Sequence, residues 1–227
     1  MPQSVMMFAA GFGTRMGVLT ESRPKPLIPV AGTALIDHTL RLVREIEPAR
    51  IVANLHYLAD QMVTHLDGSG VVVSIEQPEI LETGGGLRHA LPLLGEGPVF
   101  TTNTDAIWAG PNPFRLAQAH WDPSRMDALA VCVRRENTMG HAGRGDFRLA
   151  QTGQITRGPG LVYGGVQILK TDHLRDMPDK AFSLNRVWDR MIAQGRMFGV
   201  SYPGRWCDVG TAEGIVQAEK LLEHGNV

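Results

Sequence analysis

Residues 5–32 constrain this chain more than any other stretch. Val5 to Ala10 is a short apolar run cut off by Gly11, and a run of that kind suits a buried parallel strand. Gly11, Gly13 and Gly17 follow, with Thr14 and Arg15 among them. Glycines let a backbone turn sharply and bring N–H groups close to an anion. Arg15 adds a fixed cation whose fork geometry suits phosphate oxygens. Lys25 then sits between Pro24 and Pro26, whose rings fix φ and stiffen the segment. This reads as an exposed lysine held as a point charge near a glycine-rich turn. The bland alternative is a turn with an accidental arginine and lysine.

Bulk properties narrow the partners. A chain of 227 residues can bury a full core. Its net charge of −1 creates no general field for nucleic acid or an anionic membrane. No apolar run is long enough to span a bilayer, and the first residues lack the basic region and long apolar core of a signal peptide. Cys132 and Cys207 lie far apart with no C-x-x-C pattern, so neither zinc nor a disulfide framework is expected. The eight histidines show no metal-ligand spacing. A cytoplasmic location is expected.

Along the chain, strands and helices alternate. Ala34 to Ile46 has helical apolar spacing, with Thr33 available as a cap. Ile51–Leu55, Val71–Ile75 and Val99–Thr102 read as strands, and Leu58–Leu66 as a helix. Glu82-Thr83-Gly84-Gly85-Gly86 is a second glycine-rich turn that opens a helix through Leu94. The second half predicts helices at Leu116–Trp121, Leu184–Ala193 and Ala212–Glu223. It predicts strands at Ala128–Val133, Leu161–Leu169 (interrupted by Gly164-Gly165) and Met197–Tyr202. Trp206 to Thr211 reads as a turn, and 134–160 as a glycine- and charge-rich stretch. Trp121, Trp188 and Trp206 are assigned to packing. The alternation predicts an α/β fold with a doubly wound, mostly parallel, Rossmann-like sheet and ligands at the strand ends. One domain is expected over 1–227, with 111–227 forming a small lobe and closing helices on the part formed by 1–110.

Three anion-binding loops compete for the first motif. A dinucleotide site is poorly matched, because Met16 stands where a third glycine belongs and the next strand ends in Asn54, not an acid. A Walker P-loop lacks its Gly-Lys-Ser/Thr. The third fits: Ala9-Ala10-Gly11-x-Gly13-Thr14-Arg15-Met16, followed by Pro24-Lys25-Pro26-Leu27, resembles the signature of the sugar nucleotidyltransferases.

Other motifs extend that resemblance over nearly the whole chain. Asn103-Thr104-Asp105 is similar to the family's N-G-D, with Thr104 in place of glycine, and Asp208-Val209-Gly210-Thr211 to its D-[IV]-G-T. On residues alone, Asp105 and Asp208 could be loop or capping aspartates, or carboxylates converging on Mg²⁺. The resemblance implies the metal role, with Mn²⁺ a possible substitute. The chain looks most like the short N-acetylmuramate-1-phosphate uridylyltransferases, through Glu82–Gly86, Gly143–Leu149 and Asp208–Thr211. Nothing like the β-helical acetyltransferase fused to some relatives is expected.

The resemblance implies transfer of a nucleotidyl group to a sugar-1-phosphate, with a nucleoside triphosphate bound by 1–110 and the sugar phosphate bound by the 111–227 lobe. Arg15, Lys25 and Asp105 carry the catalysis. Ala10, Gly11, Gly13 and Thr14 cradle phosphates, and Asn103 lies at the nucleotide. Glu82 and Gly85 belong to the base-reading turn, where backbone N–H and C=O groups of Gly84 and Gly85 would reach a base edge. A carboxylate at Glu82 favours N–H groups of a pyrimidine or guanine; the turn could equally be a helix cap. Asn54 is either a base contact or a turn residue. Arg144, Gly145, Asp146 and Gly165 are the sugar-side candidates. Arg144, between two glycines, has a fork suited to the lactyl carboxylate of N-acetylmuramate, or is a solvated loop arginine. A guanylyl- or thymidylyltransferase, a non-catalytic nucleotide-sugar sensor and a nicotinamide oxidoreductase are the alternatives. A monomer or small homo-oligomer is expected.

Overall fold

The structure, a computed structural model, describes residues 1–224. Its frame is a seven-stranded sheet. The strands are β1 (Ser4–Phe8), β2 (Arg50–Leu55), β3 (Val71–Ile75), β4 (Val99–Asn103), β5 (Ala128–Val133), β6 (Val162–Leu169) and β7 (Met197–Tyr202). Their order is β7-β5-β6-β4-β1-β2-β3. All neighbours are parallel except β6, which runs antiparallel to both β4 and β5. Three of the seven strands thus come from beyond residue 110 and continue the same sheet.

The central strand shows why the apolar run was needed. Val5, Met6 and Met7 have no exposed surface. Val5 and Met7 join one core with Ile36, Leu40 and Phe100. Met6 joins another with Val52, Leu87 and Leu94. A strand covered on both faces tolerates no polar alternation.

Helices α1 (Leu35–Arg44), α2 (Ala59–Leu66), α3 (Glu82–Leu94), α4 (Pro113–His120), the single turn α5 (Asp172–Arg175), α6 (Asn185–Ala193) and α7 (Ala212–His224) complete the layers. Trp121, Trp188 and Trp206 are buried. None of the described helices is long and apolar enough to cross a membrane.

The structure departs from the sequence expectations in five places. Thr33 caps nothing; with Ala34 it pairs against Pro29–Val30 in a small hairpin, and α1 starts after it. Helix α4 begins at Pro113, because the Asn112 side chain accepts from the Phe114 and Arg115 amides at 2.8 and 3.3 Å. Arg205–Asp208, read as the start of a turn, is a strand. It pairs antiparallel with Ala106–Ala109 and parallel with Thr138–Met139 in a three-stranded sheet. The 134–160 stretch contains a short hairpin, Phe147–Leu149 against Ile155–Arg157. The Gly164-Gly165 interruption of β6 is a shift in register between Tyr163 and Gln167, within one continuous strand.

Candidate active site

The chain winds outward from β1 to β3 and then returns to β4 on the other side of β1. Strand order reverses there, which opens a crevice at the carboxyl ends of β1 and β4. The glycine-rich loop leaves β1 into that crevice. Two hydrogen bonds fix its start. The Ala9 amide donates to Asn54 Oδ1 at 3.0 Å, and the Thr104 hydroxyl donates to the Phe8 carbonyl at 2.8 Å. Thr104 therefore has a task that glycine could not perform.

Gly13 then turns with φ 65°, and a Cβ there would lie 2.8 Å from Cβ of Lys25. The loop is seated directly on the lysine. Residues 14–20 form tight turns kinked at Gly17. From outside, the Tyr57 hydroxyl donates to the carbonyls of Thr20 and Glu21 at 2.8 and 3.2 Å.

The sequence reading made Lys25 an exposed lysine, and the structure corrects this. Only 8% of Lys25 is exposed. Its Nζ donates to Asp105 Oδ2 at 2.6 Å. Pro24 and Pro26 frame a single 3-10 turn that aims it inward. Arg15 lies opposite. Its Nη1 is 3.5 Å from Asp208 Oδ2, a long contact for a guanidinium whose side chain is 65% exposed. Such an ion pair contributes little stability, so Arg15 is held ready more than locked. Gly210 makes room for it: a Cβ there would meet Arg15 Nη1 at 2.6 Å.

Asp105 and Asp208 converge through backbone pairing. Asp208 stands across from Ala106, and the Val209 amide donates to the Asp105 carbonyl at 2.9 Å. Burial, and then the neighbouring Asp105 charge, push the Asp208 carboxyl above its ordinary value against the pull of Lys25 and Arg15. Oδ1 of each aspartate makes no hydrogen bond among the described residues. Two mutually repelling carboxylates with spare oxygen atoms fit a hard divalent cation that shares its remaining positions with phosphate and water. No cluster of three or more candidate metal ligands occurs among the described residues.

A cavity of about 320 Å³ opens over this group. Ala10, Gly11, Gly13, Thr14, Arg15, Lys25, Asn54, Glu82, Asn103 and Asp105 all line it. A second cavity of about 290 Å³ shares Phe8, Thr83 and Asn103 with the first. Asp146, Arg157, Tyr163, Gln167, Ser183, Leu184, Asn185 and Trp188 complete its walls. Gly165 backs onto Asn103, with φ 100° and room for a Cβ only 3.1 Å from Asn103 Cβ.

Not every expected site residue reaches a cavity. The amides of Gly84 and Gly85 both donate to the Phe182 carbonyl, at 2.8 and 3.0 Å. The expected base donors are thus already spent, and the turn instead braces the 182–184 wall of the second cavity. Thr83 adds to this by accepting from the Leu184 amide at 2.9 Å. Glu82 does line the first cavity, with φ 58°, an uncommon conformation for a residue with a Cβ. Asn54 is buried, and its side chain ties the Ala9 amide to Glu76. Gly145 packs against Gly160. Arg144 is exposed and lines neither cavity. Asp146 lines the second cavity while accepting from the Tyr163 amide at 2.8 Å. The sequence reading missed Arg157, which lay inside a stretch dense in glycine and charge.

The family profile of the MobA-like NTP transferase domain matches residues 5–155. That range holds the loop, Lys25 and Asp105. The chain belongs to this family of nucleotidyltransferases. The nucleotidyltransferase is 42% identical to the N-acetylmuramate alpha-1-phosphate uridylyltransferase of Caulobacter vibrioides, over 97% of each chain. It is 34% identical to the protein of that name from Neisseria meningitidis serogroup B, over 95% of this chain and 96% of the relative. The crystal structure of HddC from Yersinia pseudotuberculosis, complexed with GMP-PN, superposes with a TM-score of 0.77 at 19% identity. That match covers 96% of this chain and 99% of HddC, and it shows the shared fold.

Proposed function

We propose that this nucleotidyltransferase transfers a uridylyl group from UTP to N-acetylmuramate-1-phosphate, releasing pyrophosphate. The observation that carries the proposal is the cluster of Lys25, Asp105, Arg15 and Asp208 beneath the glycine loop, beside two cavities that share the walls Phe8, Thr83 and Asn103. The two relatives described above, which match along nearly all of their length, support the choice of base and sugar.

The triphosphate lies in the first cavity, with backbone amides of Gly11, Gly13 and Thr14 against its phosphates. The sugar ring lies in the second cavity, its phosphate directed toward Lys25. A phosphate oxygen of the sugar attacks the α-phosphorus in line, and the bond to the bridging oxygen of pyrophosphate breaks. The attacking oxygen is already anionic, so no general base is needed. Catalysis is positioning plus charge neutralisation. Lys25 contacts the α-phosphate and the incoming phosphate, and Arg15 takes charge on the departing pyrophosphate. Asp105 and Asp208 would hold Mg²⁺, or Mn²⁺ in its place, which would supply further charge neutralisation.

On this reading residues 1–227 form one catalytic domain, of which 225–227 lie outside the described residues. The protein works in the cytoplasm in cell-wall recycling, as a monomer or small homo-oligomer, without nucleic acid or membrane partners. Pyrophosphate release across a grid of nucleoside triphosphates and sugar-1-phosphates tests it. UTP with N-acetylmuramate-1-phosphate is expected to give the highest kcat/KM. Preference for GTP or dTTP, or for a hexose phosphate without a lactyl group, would replace the base or the sugar accordingly.

A further inference from the structure

Arg157 is the one cationic side chain among the described residues that line the second cavity. It ends the short strand Ile155–Arg157, and its guanidinium is held on three sides. Nε donates to Asp189 Oδ1 at 2.8 Å, and Nη2 donates to the Asn185 carbonyl at 3.1 Å. The guanidinium carbon lies 5.2 Å from the Phe147 ring centre and 5.4 Å from that of Trp188. Trp188 is fixed in turn, because its Nε1 donates to Gln167 Oε1 at 2.9 Å and its ring abuts Tyr163. Nη1 has no hydrogen-bond partner among the described residues. An arginine so restrained offers a donor edge with little conformational entropy left to lose.

The surroundings select the ligand chemistry. A neutral hexose needs no cation, and hydroxyl and amide groups are already abundant on these walls at Asn103, Ser183 and Asn185. A carboxylate entering a partly enclosed site needs a paired donor, or its desolvation opposes binding. Asp146, on the same cavity, would repel such a carboxylate, which leaves the Arg157 edge as the favourable place for it. We infer that Arg157 determines acceptor specificity by donating from its free Nη1 edge to the lactyl carboxylate of the sugar. This rests on the acceptor proposed above, and it moves the role that the sequence suggested for Arg144 to a different arginine.

The test measures kcat/KM with N-acetylmuramate-1-phosphate, its lactyl methyl ester and N-acetylglucosamine-1-phosphate, in wild type, Arg157→Gln and Arg144→Ala. Wild type should prefer the free acid over the ester. Arg157→Gln should lose roughly ten- to hundredfold on the free acid, the range of a hydrogen bond to a charged group. It should stay within about twofold of wild type on the two sugar phosphates that lack the carboxylate, a condition that also shows the variant to be folded. Arg144→Ala should match wild type on all three. Equal losses of Arg157→Gln on all three sugars would overturn the inference, as would a selective loss in Arg144→Ala. If Arg157→Gln does not fold, the wild-type comparison of acid with ester decides, and equal rates overturn the inference. A wild type that prefers N-acetylglucosamine-1-phosphate would instead overturn the proposed acceptor itself.

Discussion

The Val209 amide donates to the Asp105 carbonyl at 2.9 Å. This bond closes the small sheet in which Asp208 stands opposite Ala106. Two aspartates far apart in sequence are thereby fixed by backbone geometry, before any ligand arrives. Met16, Ile28, Ile107, Cys207, Val209, Ala218 and Leu221 form one apolar cluster under this arrangement. The glycine loop, the lysine turn, the small sheet and α7 are thus packed as a unit. Preorganisation of this kind is what charge stabilisation of phosphoryl transfer requires.

The metal prediction follows from that geometry. Activity should disappear with a chelator and return with Mg²⁺ or Mn²⁺. Asp208→Asn should shift the metal titration to higher concentration, because one ligand charge is gone. Full activity of a variant carrying both Asp105→Asn and Asp208→Asn at low Mg²⁺ would exclude these residues as ligands.

Lys25→Ala should lower kcat by on the order of a hundredfold or more, the usual loss when a transition-state charge contact is removed. Because Lys25 is buried against Asp105, the same change should also cost about 1–3 kcal/mol of stability. Pyrophosphate release and denaturant unfolding measure the two effects separately. Near-normal turnover would remove Lys25 from the reaction.

Much of this was legible in the chain because the signals were local. The apolar run 5–10, the glycines after it and the double proline each prescribe a nearby backbone. The alternation of strand and helix periods pointed to a doubly wound, mostly parallel sheet, though not to the order of its strands. What escaped depended on distant partners. Arg205–Asp208 has no alternation to announce a strand, and only pairing with 106–109 makes it one. Lys25 looked exposed because nothing in Pro24-Lys25-Pro26 reveals that Gly13 will lie on top of it. Arg157 sits in a three-residue strand, too short for periodicity to register. The start of α4 was also missed, at Leu116 instead of Pro113, although asparagine before proline is a local capping signal.

Asp127 provides an acid-stability prediction away from the site. Burial alone would raise its carboxyl, but hydrogen bonds from Arg196, Lys170 and His173 together hold it far below the usual range. A depressed native value contributes stability above the unfolded value, near 3.8, and loses it as pH falls below that. Asp127→Asn should therefore cost about 1–3 kcal/mol near neutral pH. The gap from wild type should narrow progressively below pH ~4. Urea unfolding at several pH values checks this; a gap independent of pH would mean that the charge is not what Asp127 contributes.

Asn54 separates a structural role from a ligand role at the nucleotide cavity. Glu76 is fully buried, and its two oxygens accept from Asn54 Nδ2 at 2.7 Å and from the Leu81 amide at 2.6 Å. Asn54 Oδ1 meanwhile accepts from the Ala9 amide at the start of the loop. The side chain thus joins β1, β2 and the segment that enters α3. Asn54→Ala strands a buried backbone donor and half of a buried carboxylate, and should cost about 2–3 kcal/mol. Loosening the loop should lower kcat as well, with the KM for UTP changing less than kcat. Glu76→Gln, which keeps the shape but loses the charge, should destabilise in the same direction by a smaller amount. Unchanged unfolding together with a large rise in the KM for UTP would make Asn54 a base contact and not a brace.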